Sequence, residues 1–229
     1  MNTYKEALNE VISELSNNFS IANEDNIDKV NDFFHYIDLI EEIYNLISSD
    51  ISKDVLNEAQ SDLMSSLIFC FQGYYRQANV SLRSSLELVL SFLYYYDHKY
   101  DFILWKNDCI DMTWTQLINQ ERGVFNDKFL SIVNHRKIVI SQCLDEIKQL
   151  YHLTSQYVHG KYGYMQKRLS SKIEYSKDLV EQYFDTSSKI MKFEIIMLYA
   201  RFMEEIELDP IYVQEIETLI KKYEVKNDE

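Results

Sequence analysis

Two groups of residues in this chain have the types and spacing to do chemistry. The first is Arg76, Arg83 and Glu87. At 100° per residue on a helix, Arg76 and Arg83 project within about 20° of each other, and Glu87 lies about 40° from Arg83. Glu87 is also the only charge in the run LELVLSFLYYY, and a charge among apolar neighbours needs a partner. Arg83 precedes Glu87, the weaker order for a local i,i+4 pair. A bonded ion pair or a solvated face is the plainer reading of this strip. The second group is the run Tyr151 to Gly160, with His152 and His159 on one face and Ser155 one turn before His159. His159 falls at a predicted helix C-terminus, where the backbone dipole favours imidazolium. Lys161, Lys167, Arg168, Lys172 and Lys177 follow, against Glu174 alone. A histidine that exchanges a proton beside a positive surface is suited to general acid–base chemistry on a phosphodiester. The plainer reading is a helix-end histidine bonded to a carbonyl.

Other chemistries fit less well. Ser155 and His159 lack the G-x-S-x-G elbow of a serine nucleophile. The chain has no phosphate-binding loop and no dinucleotide fingerprint. Two histidines seven apart, with no cysteine or suitably placed carboxylate, make a poor metal site. Neither a metal nor a cofactor is expected.

The elements that must position these residues are helices. The chain has 229 residues, 46% of them hydrophobic, with one proline and four glycines. That supply of turn residues is too small for a sandwich or barrel, so the expected fold is an all-α helical bundle with a long central helix. Apolar spacing predicts a helix over 3–16, with Ala7, Val11, Ile12 and Leu15 on one side. A second starts at Asn26 or Asp28 and runs to Ile47, before a polar break at 48–52. Leu63, Leu67, Phe71, Tyr74, Ala78, Leu82, Leu86, Val89 and Leu93 draw one stripe about thirty residues long, which predicts a single central helix passing through Gly73. Residues 102–137 are mixed, with Trp105, Trp114 and a loop at 121–123. Helices are predicted over 141–158, ended by Gly160 at a left-handed position, over 175–205, and from Asp209-Pro210 to Tyr223. The whole reads as one domain over 1–229. It comprises acidic N-terminal helices (1–50), a core (55–205) and a C-terminal helix (210–229).

Cys70, Cys109 and Cys143 are odd in number and scattered, so they read as buried thiols in a reducing compartment. Met1 to Ser20 lacks the basic and apolar regions of a secretory leader. Leu86–Tyr96, the most apolar stretch, is too short to span a bilayer. A cytoplasmic protein without a membrane segment is expected. The net charge of −14 disfavours general nucleic-acid binding, but it is unevenly spread. Residues 1–60 carry three lysines against thirteen acids, whereas 122–177 carry ten Lys/Arg against four acids.

At the two groups the chain resembles the helical bacterial proteins of the HEPN superfamily. The resemblance is carried by GYYRQANVSLRSSLELVLSFLYY and LYHLTSQYVHGKY. They supply an Arg-x-x-x-Glu helix (Arg83, Glu87) and a Ser-x-Tyr-x-His-Gly helix end (Ser155, Tyr157, His159, Gly160), within a match over roughly 60–200. It implies a bundle, often homodimeric, and for many members metal-independent ribonuclease activity in toxin–antitoxin and anti-phage systems. In those enzymes an arginine stands five to seven residues before the catalytic histidine. Here Thr154, Leu153 and His152 hold those positions, so Arg83 or Arg76 would have to substitute from the central helix. On this reading His159 is the general acid/base, Arg83 stabilises the phosphorane charge and Glu87 orients Arg83. Arg76, Ser155, Tyr157, Lys161, Lys167 and Arg168 hold RNA or a nucleotide. The alternative is a non-catalytic helical partner or nucleotide sensor, working with a protein encoded nearby. Both require the central helix and the segment ending at Gly160 to meet in space.

Overall fold

The computed structural model describes residues 3–47, 53–134, 138–164 and 173–223. Among these the fold is all-α, as expected. Its helices are α1 (Thr3–Asp25), α2 (Ile27–Leu46), α3 (Lys53–Phe71), α4 (Tyr75–Asp97), α5 (Lys99–Lys106), α6 (Trp114–Leu117), α7 (Asp127–Val133), α8 (Leu144–Val158), α9 (Lys177–Phe202) and α10 (Pro210–Ile220). The polar break at 48–52 lies outside the described residues.

The single helix expected through Gly73 does not form. The stripe from Leu63 to Leu93 is shared by α3 and α4, which fold back on each other as an antiparallel hairpin. Gly73 turns the chain with φ +88°. Its N–H donates to Cys70 O at 3.0 Å and the Tyr74 N–H donates to Phe69 O at 2.7 Å, the Schellman pattern that closes a helix through a left-handed residue. A Cβ at this position would stand 2.9 Å from Ile173 Cγ2 and 3.2 Å from Glu174 O. Periodicity alone could not show this, because both arms of the hairpin bury the same stripe.

The remaining ends follow local chemistry. Asp209 accepts from the Ile211 N–H at 2.8 Å with Pro210 in the first turn of α10, a cap-and-proline start. A 3₁₀ turn, Ile140–Cys143, leads into α8, and Tyr223 O accepts from the Val139 N–H at 2.9 Å. α1 runs to Asp25, nine residues past the expected end at Ser16. Cys70 and Cys143 are buried, but Cys109 is exposed.

α4 and α9 carry the most buried side chains and cross within the core. Two polar groups lie along α9. Glu194 is fully buried, accepting from Ser85 Oγ at 3.0 Å. Arg201 holds Asp97 through Nε and Nη2 (2.7–3.2 Å) and Glu205 through Nη1 at 2.7 Å, with its guanidinium 4.8 Å from the Tyr96 ring centroid. Burial opposes its charge, but the bonds to Asp97 and Glu205 outweigh that and raise its pKa above the ordinary value. No described helix is long and apolar enough to cross a membrane.

Candidate functional site

α8 packs on α4, and that interface gathers most of the residues singled out by sequence. Arg83 is its centre. Its Nη2 donates to Glu87 Oε1 at 3.1 Å and to Tyr151 Oη on α8 at 2.6 Å. The guanidinium carbon stands 4.6 Å from the Tyr151 ring centroid. Trp114 lies parallel to the same ring, with centroids 3.6 Å apart. Trp114 fills one face at van der Waals distance, so Arg83 covers the other, a cation–π arrangement. α6 holds the indole in place by a capping box between Thr113 and Gln116. Burial, and next the Glu87 carboxylate, push the Tyr151 phenol above its ordinary pKa. The phenol therefore stays protonated while it accepts from Arg83. Arg83 Nε is buried without a hydrogen-bond partner among the described residues. This cluster ties three helices together, and Arg83 is mostly covered in it.

The second gathering point is the C-terminus of α8. Arg76, also from α4, donates from Nε to Tyr157 O at 3.0 Å and from Nη2 to Val158 O at 3.2 Å. These carbonyls belong to the last turn, where no helical N–H follows to meet them all. Gly160 has φ +59°. Its N–H donates to Tyr157 O and the Lys161 N–H donates to Gln156 O, so the left-handed ending predicted at Gly160 is present. His159 is the cap residue. Its backbone N–H donates to Ser155 O, while its ring is exposed and makes no hydrogen bond with the described residues. Lys161, two residues on, is exposed, and so is Arg76, which the bonds to Tyr157 O and Val158 O hold at this helix end. Tyr157 meets the Tyr164 ring edge-on at 5.1 Å, and burial raises its pKa.

The sequence-predicted residues therefore form two points on one interface. Rising numbers on α4 match falling numbers on α8, so the helices run antiparallel: Arg76 meets Tyr157 and Val158, and Arg83 meets Tyr151. Tyr151 and His159 are eight residues apart, roughly 12 Å along the axis. Arg76, rather than Arg83, is the arginine bonded beside His159. Ser155 is buried and its hydroxyl donates to Tyr151 O at 2.6 Å, so it serves the helix interior. Gln156 Nε2 donates to His152 O at 3.0 Å and lies 2.8 Å from His152 Nε2. Lys167 and Arg168 lie outside the described residues. No group of three or more His, Cys, Asp or Glu among the described residues could hold a metal ion.

Sequence reasoning missed Trp114 and the role of Tyr151. Tyr151 was visible as a position on the inner edge of α8, but nothing local marks it as the partner of an arginine 68 residues earlier. It also missed Glu194. The signal that picked out Glu87, a lone acid in an apolar run, applies equally to Glu194 in KFEIIMLYA. Glu87 keeps a third of its side chain exposed, and Glu194 keeps none.

Comparison with protein-family models, with curated proteins and with solved structures gives no match. The HEPN resemblance therefore rests on the motifs of α4 and α8 alone.

Proposed function

We propose that the chain is a HEPN-like ribonuclease of a defence or stress-response system, cleaving RNA without a metal at the exposed end of α8. The observation that supports this is an exposed His159, its ring unengaged among the described residues, directly after the two carbonyls that hold Arg76. Two of the five guanidinium N–H groups of Arg76 are committed to those carbonyls. The other three have no partner among the described residues and are open to a phosphate, with Lys161 adding charge.

The chemistry asks for one proton removed and one supplied. An imidazole takes the proton from a ribose 2′-hydroxyl as that oxygen attacks the adjacent phosphorus. The bond from phosphorus to the 5′-oxygen breaks, and that oxygen receives a proton from an imidazolium. The products are a 2′,3′-cyclic phosphate and a 5′-hydroxyl. A single imidazole cannot give and take in the same step, so a homodimer contributing two copies of His159 would divide the roles. Arg76 would neutralise the phosphorane oxygens, the part first expected of Arg83. Arg83, Glu87, Tyr151 and Trp114 would then fix α8 on α4 as a positioning cluster.

The test is cleavage of an end-labelled oligoribonucleotide in excess EDTA by the wild type and by His159→Gln, with melting temperatures compared first. Loss of an acid–base group predicts a fall of roughly 10²–10⁴-fold. An inert wild type, or a variant that cleaves equally well, overturns the proposal.

The acidity of the chain favours a second reading, a non-catalytic helical partner or nucleotide sensor. The departure from the family's arginine spacing supports it too. A nucleotide bound at Arg76 and His159 would raise the melting temperature, and no shift across a nucleotide panel would count against the sensor. Both readings suit a reducing, cytoplasmic setting.

A further inference from the structure

A cavity of about 390 Å³ opens at the C-terminal end of α4, between the loop 121–126, α7 and α9. It lies roughly 30 Å along α4 from Arg76 and the end of α8. Its size falls within the range of small-molecule sites, about 300–1,000 Å³. Leu93, Leu130 and Met197 are buried and form its apolar wall, with Val124 and Phe129 half-buried beside them. Arg201 and Asp97 also line it, but they are already engaged with each other. Asp97 accepts from Arg201 Nε and Nη2, so their charges cancel.

Three further groups around the cavity have no side-chain partner among the described residues: the Glu121 carboxylate, the Arg122 guanidinium and His98 Nε2. The chain fixes where they start. Asn119 Oδ1 accepts from the backbone N–H of both Glu121 and Arg122 at 2.8 Å, and Asn126 Nδ2 donates to Glu121 O at 2.6 Å. The His98 ring lies parallel to the Tyr94 ring with centroids 4.1 Å apart, and its Nδ1 is 2.9 Å from Tyr94 O. A carbonyl only accepts, so Nδ1 carries the proton and the neutral ring keeps its lone pair on Nε2. The cavity therefore offers two acceptors, Glu121 and His98 Nε2, and one cationic donor, Arg122, beside an apolar wall. An anion alone would face the unpaired Glu121, and a cation alone would face Arg122. A zwitterion with an apolar body suits all of them.

We infer that this cavity binds a free amino acid with an apolar side chain. Glu121 and His98 Nε2 accept from its ammonium, Arg122 donates to its carboxylate, and the side chain packs on Leu93, Leu130 and Met197. A guanidinium suits a carboxylate because its N–H groups are placed for paired bonds. An ammonium has three N–H donors, of which Glu121 and His98 take two. The site is separate from the end of α8, and the inference stands whether or not the chain cleaves RNA.

The test is calorimetric titration of the full-length protein with L-phenylalanine and L-leucine. The controls are phenylacetate, which lacks the ammonium, phenethylamine, which lacks the carboxylate, and glycine, which lacks the apolar body. Saturable binding of at least one of the two amino acids is expected, with each control about tenfold weaker or more. Arg122→Gln should weaken amino-acid and phenylacetate binding alike, whereas Glu121→Gln should weaken the amino acid and spare phenylacetate. Both side chains are exposed, so melting temperatures should not move. In a ¹H–¹³C spectrum the amino acid should shift the Cε1–H signal of His98 and leave that of His159 in place. Three results overturn the inference: no saturation by either amino acid, a one-charge control that binds as tightly as the zwitterion, or binding that neither shifts His98 nor responds to Arg122→Gln. The first removes the site, the second reassigns it to a simple ion, and the third places the ligand elsewhere on the protein.

Discussion

Replacing Glu194 by glutamine should make the protein more stable at neutral and alkaline pH and leave it nearly unchanged near pH 5. Glu194 has no exposed surface, and Ser85 Oγ donates to its Oε1. Its Oε2 is buried without a hydrogen-bond partner among the described residues, as is the hydroxyl of Tyr44. Tyr44 lies close enough for the Glu194 charge to add to the effect of burial in raising its pKa. Burial pushes the Glu194 carboxyl from 4.5 to about 8. Between those values the folded protein holds a proton that the unfolded chain has released. Stability therefore falls as pH rises through this window, by up to about 1.4 kcal/mol per unit, and levels off above pH 8. From pH 5 to 7.5 the loss attributable to this one group is about 3 kcal/mol. Glutamine is neutral at every pH and can still accept from Ser85. Urea unfolding of both proteins, followed by circular dichroism at half-unit steps from pH 5 to 8.5, measures the difference directly. Other titrating groups cancel in the comparison. If the two curves stay parallel across the range, the carboxyl is not held protonated by burial and the reasoning fails.

Other consequences can be checked by the same unfolding measurement. Gly73→Ala forces a side chain into a left-handed turn and against Ile173, and should cost about 1–3 kcal/mol. Asp97→Ala leaves the covered Arg201 guanidinium with Glu205 as its one carboxylate partner among the described residues and should cost about 3–5 kcal/mol; a loss below about 1 kcal/mol would mean that solvent reaches Arg201. Arg83→Ala removes bonds to both Glu87 and Tyr151 and should cost about 1–3 kcal/mol. Glu87→Ala touches a partly exposed carboxylate and should cost less than about 1 kcal/mol, leaving a folded protein.

How much of this could be read from the sequence differs by level. Scarce glycine and proline with helical spacing was enough for the all-α class, and Gly160 and Asp209-Pro210 placed two helix ends. The α3–α4 hairpin was not legible, because a stripe continues in phase across a turn that both arms cover. The 20° between Arg76 and Arg83 correctly placed them on one face, but the face says nothing of depth. Seven residues carry Arg76 to the end of α8 and Arg83 to its middle, so the two arginines serve different points of one interface. Apolar spacing showed one side of the first helix, and only tertiary structure reveals that most of that side is exposed, with Phe19 resting on Phe71. Tyr151 meets Arg83, and Trp114 meets Tyr151, through contacts between residues far apart in the chain, which no local pattern encodes.

The central claim is that RNA phosphates land at the end of α8, on His159 and Arg76. The chain has five histidines, so a ¹H–¹³C spectrum of their Cε1–H groups resolves the claim residue by residue. Titration with a 2′-O-methyl oligonucleotide, which cannot be cleaved, should move the His159 signal and leave those of His35 and His98 in place. Arg76→Gln should weaken the response. A His159 signal that stays fixed at saturating oligonucleotide contradicts the account.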